Sequence, residues 1–273
     1  MLKPAFMQVS SIYMINRAYL PLFITWLLIS LSFSVSLLDS TQPPYINLTG
    51  LLSEVVYILA FSGGKFGAPV IAVIMLVLLI TRKGVTKKRR WQEAVVLISV
   101  SLLLAGGGAA FNEHVVKNEF KVPRPNIIWL AQESTAGGLE MSAEQFYLLG
   151  DKTARRQPLF DVLNKKPAPV LLSESVRSHW IEETGYSFPS GHAFSAMFFA
   201  SLFLLFAVGY LSSKRLWLFY ALLPWALAVC YSRTLLRVHT PTDIFVGGLQ
   251  GLVLGILAWL IASRILRRLD SSF

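Results

Sequence analysis

Three short clusters carry residues that could do chemistry. They are Lys117-x6-Arg124-Pro125, Pro189-Ser190-Gly191-His192, and Ser232-Arg233-x5-His239-x3-Asp243. His239 and Asp243 are four residues apart, hence on one face if a helix has begun there. A carboxylate that accepts the Nδ1–H of an imidazole fixes its tautomer and leaves Nε2 to act as a nucleophile. Ser190 stands where an apolar run starts and suits a helix N-cap. The same helix start offers backbone N–H groups and a positive dipole end to a phosphate. Gly191 lets the backbone come close to such a ligand, and His192 stands at the rim. Lys117, Arg124 and Arg233 add positive charge. Singly, each cluster has an ordinary reading: cations snorkelling to an interface, a helix cap, a pair stabilising a helix end. Jointly, in this order, the three clusters leave little room for chance.

The elements that must position them are membrane helices. Of the 273 residues, 54% are hydrophobic and 15% charged, and the mean hydropathy is +0.57. A soluble domain of this size needs more polar surface than that. The apolar residues also gather in blocks of the length a bilayer requires. Expected spans are 18–38, 66–81, 93–115, 193–210, 216–233 and 243–262. The second is short and interrupted by Ser62, Gly63, Gly64 and Pro69, so it also reads as a helix starting near Leu51 and bent at the glycines. The first run, preceded by Lys3 and Arg17, is too long for a signal-peptide core and has no A-x-A site after it, so it reads as a retained helix. The fold class is all-α: one integral membrane domain over 1–273, with six transmembrane helices. Cys230 is the only cysteine, so no intrachain disulfide can form.

The formal net charge of +10 would suit nucleic acid, anionic lipid or an anionic substrate. In so apolar a chain it first marks cytoplasmic loops, and no nucleic-acid partner is expected. The segment TRKGVTKKRR, the loop with Lys214 and Arg215, and the tail with Arg264, Arg267 and Arg268 fall on one side. Both termini are then cytoplasmic, and 39–65, 116–192 and 234–242 face outward. All three chemical clusters lie on that outward face. Lys117, Arg124, Arg233 and Arg237 stand there against the charge preference, as an anionic ligand would require. Segment 116–192 is too long for a plain loop and reads as a small helical cap between helices 3 and 4. Its Trp129, Tyr147, Phe160 and Trp180 are read as cap core or interface anchors. His114 and His179 sit in no ligand cluster, so no metal site is expected. Asn47-Leu48-Thr49 matches a glycosylation sequon, a tripeptide frequent by chance.

Every position of K-x6-RP, PSGH and SR-x5-H-x3-D is matched without substitution. In this the chain resembles the type 2 phosphatidic acid phosphatase superfamily. The stretches PRPNIIWL and RSHWIEETGYSFPSGH resemble its bacterial phosphatidylglycerophosphate phosphatase B branch. The resemblance implies that Lys117, Arg124 and Arg233 bind phosphate, helped by Ser190 and the backbone at Gly191. His239 would be the nucleophile and Asp243 its orienting partner. His192 would protonate the leaving oxygen and then activate the water that hydrolyses a phosphohistidine. No metal or other cofactor is implied. The implied substrate is a phospholipid or polyprenyl phosphate in the bilayer: phosphatidylglycerophosphate, with undecaprenyl pyrophosphate as a second. A dedicated undecaprenyl pyrophosphate phosphatase is the alternative. A lipid phosphate-binding or transport protein is the non-enzyme alternative, but a degenerate member would be expected to have lost His239, His192 or Asp243. The implied location is the bacterial inner membrane, with the site on the periplasmic face and no obligate protein partner.

Overall fold

Inside hydrocarbon every backbone N–H and C=O must be bonded within its own segment, so apolar blocks of this length fold as helices. The computed structural model describes residues 11–34, 48–132, 138–211 and 213–271, and among these there are helices and no strand. The expected end of the first span at 35–38, the adjoining 39–47 and Asn47 lie outside the described residues. Helix α1 is Ile15–Phe33, α2 Leu51–Ser62 and α3 Gly67–Ile80. Helix α4 covers 87–120. Four short helices follow: α5 Pro125–Leu130, α6 Ala143–Leu148, α7 Lys152–Leu163 and α8 Glu174–Glu182. Then come α9 Gly191–Tyr210, α10 Arg215–Leu235 and α11 Pro241–Ser271. Five of these are long and apolar enough to cross a membrane, or six where the α2–α3 pair, bent by 64°, counts as one span.

That bend agrees with the reading in which a helix starts near Leu51 and breaks at the glycines, since 51–62 is helical. The break is docked rather than loose. Ser195 Oγ donates to the Gly63 carbonyl at 2.6 Å, and Trp225 Nε1 donates to Ser62 Oγ at 2.9 Å. Pro69 falls in the first turn of α3, where its missing N–H would have had no helical partner. Helix α4 overruns its expected limits of 93–115 at both ends. Thr86 caps its start by accepting the Arg89 N–H at 3.2 Å. Its finish comes at Lys121, whose φ of 47° is left-handed. Lys117 therefore sits in the last turn of this helix.

Helix α9 is apolar and buried nearly all round, as the central helix of a bundle must be. Helix α11 lies along it on Gly247, Gly251 and Gly255, one turn apart. A Cβ at any of them would strike the backbone of Ser190, Phe194 or Phe198. Small residues at this spacing let two membrane helices approach backbone to backbone. Asn112 of α4 and Gln250 of α11 add a reciprocal amide pair at 2.7 and 2.9 Å. The basic loops meet at the far end of the bundle. There Arg82 grips Glu93 through two 2.6 Å bonds, and Arg89 reaches Glu93 at 2.9 Å and Asp270 at 2.7 Å. At the near end, 121–132 and 138–190 fold over their own core, with Phe146, Leu159, Val176 and Trp180 packed on Val56, Leu236 and Val238. Tyr147 and Trp180 are buried there as expected, whereas Phe160 is 51% exposed.

Candidate active site

The spacing SR-x5-H is the spacing of a helix end. At the close of α10 the Arg237 N–H donates to Thr234 O at 3.0 Å, and the Val238 N–H donates to Arg233 O at 3.2 Å. With Arg237 at φ 59°, this is a Schellman turn. It folds the chain back so that the His239 N–H also donates to Arg233 O at 3.2 Å. The next four residues, Thr-Pro-Thr-Asp, start α11 with a capping box. Thr240 Oγ1 accepts the Asp243 N–H at 3.2 Å, and Asp243 Oδ2 accepts the Thr240 N–H at 2.8 Å. Pro241 occupies the first helical position, where it suits. The helix thus begins after His239, which corrects the expected one-face helical pairing. Contact is made through the cap instead, with His239 Nδ1 at 3.3 Å from Asp243 Oδ2.

PSGH opens α9 as expected: Ser190 Oγ accepts the Ala193 N–H at 3.4 Å. The Ser190 N–H donates to Asp243 O at 3.0 Å, and Gly247 lies against the Ser190 backbone. The starts of α9 and α11 are thereby fastened together, and His192 is brought beside His239. Gly64, at the break before α3, leaves room for His192; a Cβ there would come within 2.8 Å of Nε2.

Arg124 returns from the end of α4 in extended backbone, as a residue before proline must. Its guanidinium is buried and fully engaged. Nε donates to Gly185 O at 2.7 Å, Nη1 to Val238 O at 2.9 Å, and Nη2 pairs with Glu183 Oε2 at 2.6 Å. Nη1 also lies 3.3 Å from His239 Nε2. Arginine can only donate, so Nε2 is the acceptor and Nδ1 carries the proton towards Asp243. The network itself therefore selects the tautomer. Arg233, completely buried, donates to His179 Nε2 at 2.9 Å and to Glu183 Oε1 at 3.3 Å. Its Nε has no partner among the described residues. Lys117 is held by Glu113 at 2.8 Å, and the other oxygen of Glu113 pairs with Lys152.

Four of these partners, Glu183, His179, Glu113 and Lys152, went unmarked in the sequence. His179 and Glu183 are spaced four apart in RSHWIEE, the one local signal of a shared face. Burial would neutralise Glu183, but Arg124 and Arg233 override it and hold its carboxyl well below the usual range. Burial, reinforced by Arg233, pushes His179 down to about 3. Burial also pushes His239 down to about 3, against the opposing pull of Asp243. Both imidazoles are therefore neutral at pH 7. His114 is exposed and stands apart. Among the described residues no three His, Cys, Asp or Glu side chains are grouped to hold a metal ion.

Lys117, Arg124, Gly191, His192 and His239 line one cavity of about 770 Å³, whereas Ser190, Arg233 and Asp243 are not among its lining residues. The cavity continues between α3, α4 and α9 past Ala72 and Phe199 to Leu76 and Leu97. Leu97 and Lys117 are 20 residues apart along α4, roughly 30 Å at the rise of a helix. A polar, cationic end thus opens into an apolar space, and the two together run about the depth of a hydrocarbon core.

Residues 94–267 match the PAP2 superfamily profile. Phosphatidylglycerophosphatase B of Escherichia coli K12 is 38% identical over 153 residues, which is 55% of this chain and 54% of that protein. The protein of the same name from Haemophilus influenzae is 33% identical over 150 residues, 53% of this chain and 54% of the relative. The chain spans about half the length of the relatives it matches. The family match takes in all three clusters, the four helix ends that present them and the glycine contact between α9 and α11, and on that ground the chain belongs to the PAP2 superfamily.

Proposed function

We propose that this protein is a metal-independent membrane lipid phosphatase. It hydrolyses phosphatidylglycerophosphate to phosphatidylglycerol, accepts undecaprenyl pyrophosphate as well, and works through a phosphohistidine. The observation that carries the reading is the single cavity joining His192 and His239 to apolar residues as far as Leu97. A headgroup can reach the histidines while its chains stay among the helices. The shared family and the name of the relatives support the same substrate class.

In this mechanism Arg124, Arg233 and Lys117 hold the phosphate oxygens, with the start of α9 behind them. Asp243 keeps the proton on His239 Nδ1, so the Nε2 lone pair attacks phosphorus once Arg124 turns from Nε2 to a phosphate oxygen. The bond from phosphorus to the lipid oxygen breaks, and that oxygen takes a proton from His192. Water then attacks phosphorus and gives its proton to His192, the P–Nε2 bond breaks, and phosphate leaves. Three cations supply the charge stabilisation that a metal ion provides elsewhere.

The test is phosphate release by the detergent-solubilised protein in EDTA, with phosphatidylglycerophosphate and undecaprenyl pyrophosphate compared and His239→Ala as control. Release that disappears in the variant supports the histidine mechanism, and the ratio of rates separates the broad enzyme from a dedicated pyrophosphate phosphatase. Strict dependence on added Mg²⁺ would refute metal independence. No release from either lipid would favour a lipid phosphate-binding or transport protein. The inner-membrane orientation, with cytoplasmic termini and a periplasmic site beneath the cap, is tested by a reporter fused after Phe273, which should read cytoplasmic.

A further inference from the structure

Two cations of the capping segment face the cavity without belonging to any of the three clusters. Lys152 opens α7, and Arg156 follows one turn later on the same side. Lys152 is tied to the site. Its ammonium shares Glu113 with Lys117, so the two lysines are one carboxylate apart. Its stem lies against Gly185, where a Cβ would come within 2.7 Å of Cε. Its carbonyl accepts the Thr184 hydroxyl at 2.8 Å, and the Gly185 carbonyl in turn accepts from Arg124 Nε at 2.7 Å. The side chain is still 49% exposed, so its charge is open to a ligand.

The charges do not balance for one phosphate alone. Lys117, Arg124 and Arg233 suffice for a monoester, and Glu183 already answers the two arginines. Glu113 can neutralise only one of the two lysines it touches. Glu182 and Lys65 also line the cavity and offset each other. Whichever lysine Glu113 takes, the other one and Arg156 remain as an excess beside the phosphate pocket.

We propose that Lys152 and Arg156 form a second anion subsite, which takes the second phosphate of a doubly phosphorylated lipid headgroup. The inference rests on the lipid phosphate reading above and narrows its substrate class. That second group is either the diester phosphate of a glycerophosphate headgroup or the outer or inner phosphate of a diphosphate. A lipid with one phosphate, such as phosphatidic acid, gains nothing from the subsite.

The test is binding to the full chain carrying His239→Ala, which leaves the lipids intact, in detergent micelles. Dissociation constants are measured for phosphatidylglycerophosphate, a polyprenyl diphosphate and phosphatidic acid, with and without Lys152→Gln plus Arg156→Gln. Loss of two charge-assisted contacts should weaken the doubly phosphorylated lipids by about tenfold or more, and phosphatidic acid by less than about twofold. The larger loss identifies which source of second phosphate the subsite fits. Equal weakening of all three lipids, or none, overturns the proposal. Should the double variant melt early, the exposed Arg156→Gln alone must show the same selectivity in smaller measure. Turnover by the unmodified protein tests the phosphatase reading separately, since selective binding without turnover would keep the subsite and reject the enzyme.

Discussion

Replacing Glu183 by glutamine removes the one carboxylate that both buried arginines share. Arg124 and Arg233 reach its two oxygens at 2.6 and 3.3 Å, and their side chains are 3% and 0% exposed. Leaving a buried charge without its partner costs about 3–5 kcal/mol. Glutamine keeps an acceptor but no charge, so a loss near 3 kcal/mol is expected on the same scale. In the mechanism proposed above a phosphate meets both guanidinium groups, close to where Glu183 pairs with them. Inorganic phosphate or vanadate should therefore restore Glu183→Gln far more than it stabilises the parent protein. A ligand at a hundred times its dissociation constant contributes about 2.7 kcal/mol, enough to offset most of the loss. The assay is a thermal melt in detergent across a phosphate titration, with the exposed Glu174→Gln as control. If the variant melts with the parent in phosphate-free buffer, or if phosphate shifts both equally, Glu183 does not stand in for the ligand and the reasoning fails.

Acidification should weaken the fold. His179 and His239, both pushed down to about 3, stay neutral when folded but bind protons near pH 6.5 when unfolded. Stability is then lost as pH falls below about 6.5, by roughly 2 kcal/mol per histidine between pH 7 and 5; melts that do not move over this range would contradict it. Gly251→Leu should cost about 3 kcal/mol and abolish activity, because the new side chain meets the Phe194 backbone. Gly107→Ala, which meets open space, should be neutral or stabilising in the same melt. Thr240→Val removes half of the capping box and should cost about 1 kcal/mol. It should also lower kcat more than it raises KM, since Asp243 would hold His239 less firmly; an unchanged kcat would sever that link.

Much of the candidate site's geometry was legible in the chain because it is local. K-x6-RP, PSGH and SR-x5-H-x3-D are each a helix end, and the forces that shape a helix end act over a few residues. Pro125 sets Arg124 in extended backbone, Ser190 caps α9, and the Schellman turn returns His239 to Arg233. Apolar blocks and basic loops likewise announced a helical membrane bundle, since hydrocarbon admits little else. The bend at Gly63 and Gly64 was readable from composition, whereas the ends of α4 were not. They depend on Thr86, on the Arg89–Glu93 pair and on the left-handed Lys121, which interrupt no hydrophobic pattern.

What the chain could not reveal are contacts between segments distant in sequence. Glu183 looks like any acidic residue of an amphipathic helix until α8 is folded over the turn after α10 and meets two arginines 59 and 50 positions away. His179 carries no ligand motif, and it is the fold that sets its Nε2 against Arg233. Glycines at 247, 251 and 255 form a plain small-residue stripe, and it is the Ser190, Phe194 and Phe198 backbones that make them necessary. Short-range sterics and hydrogen bonding fixed which groups stand at each helix end. Close packing of α11 on α9, and of the capping segment on both, decided that those ends face one another and which charges they must share.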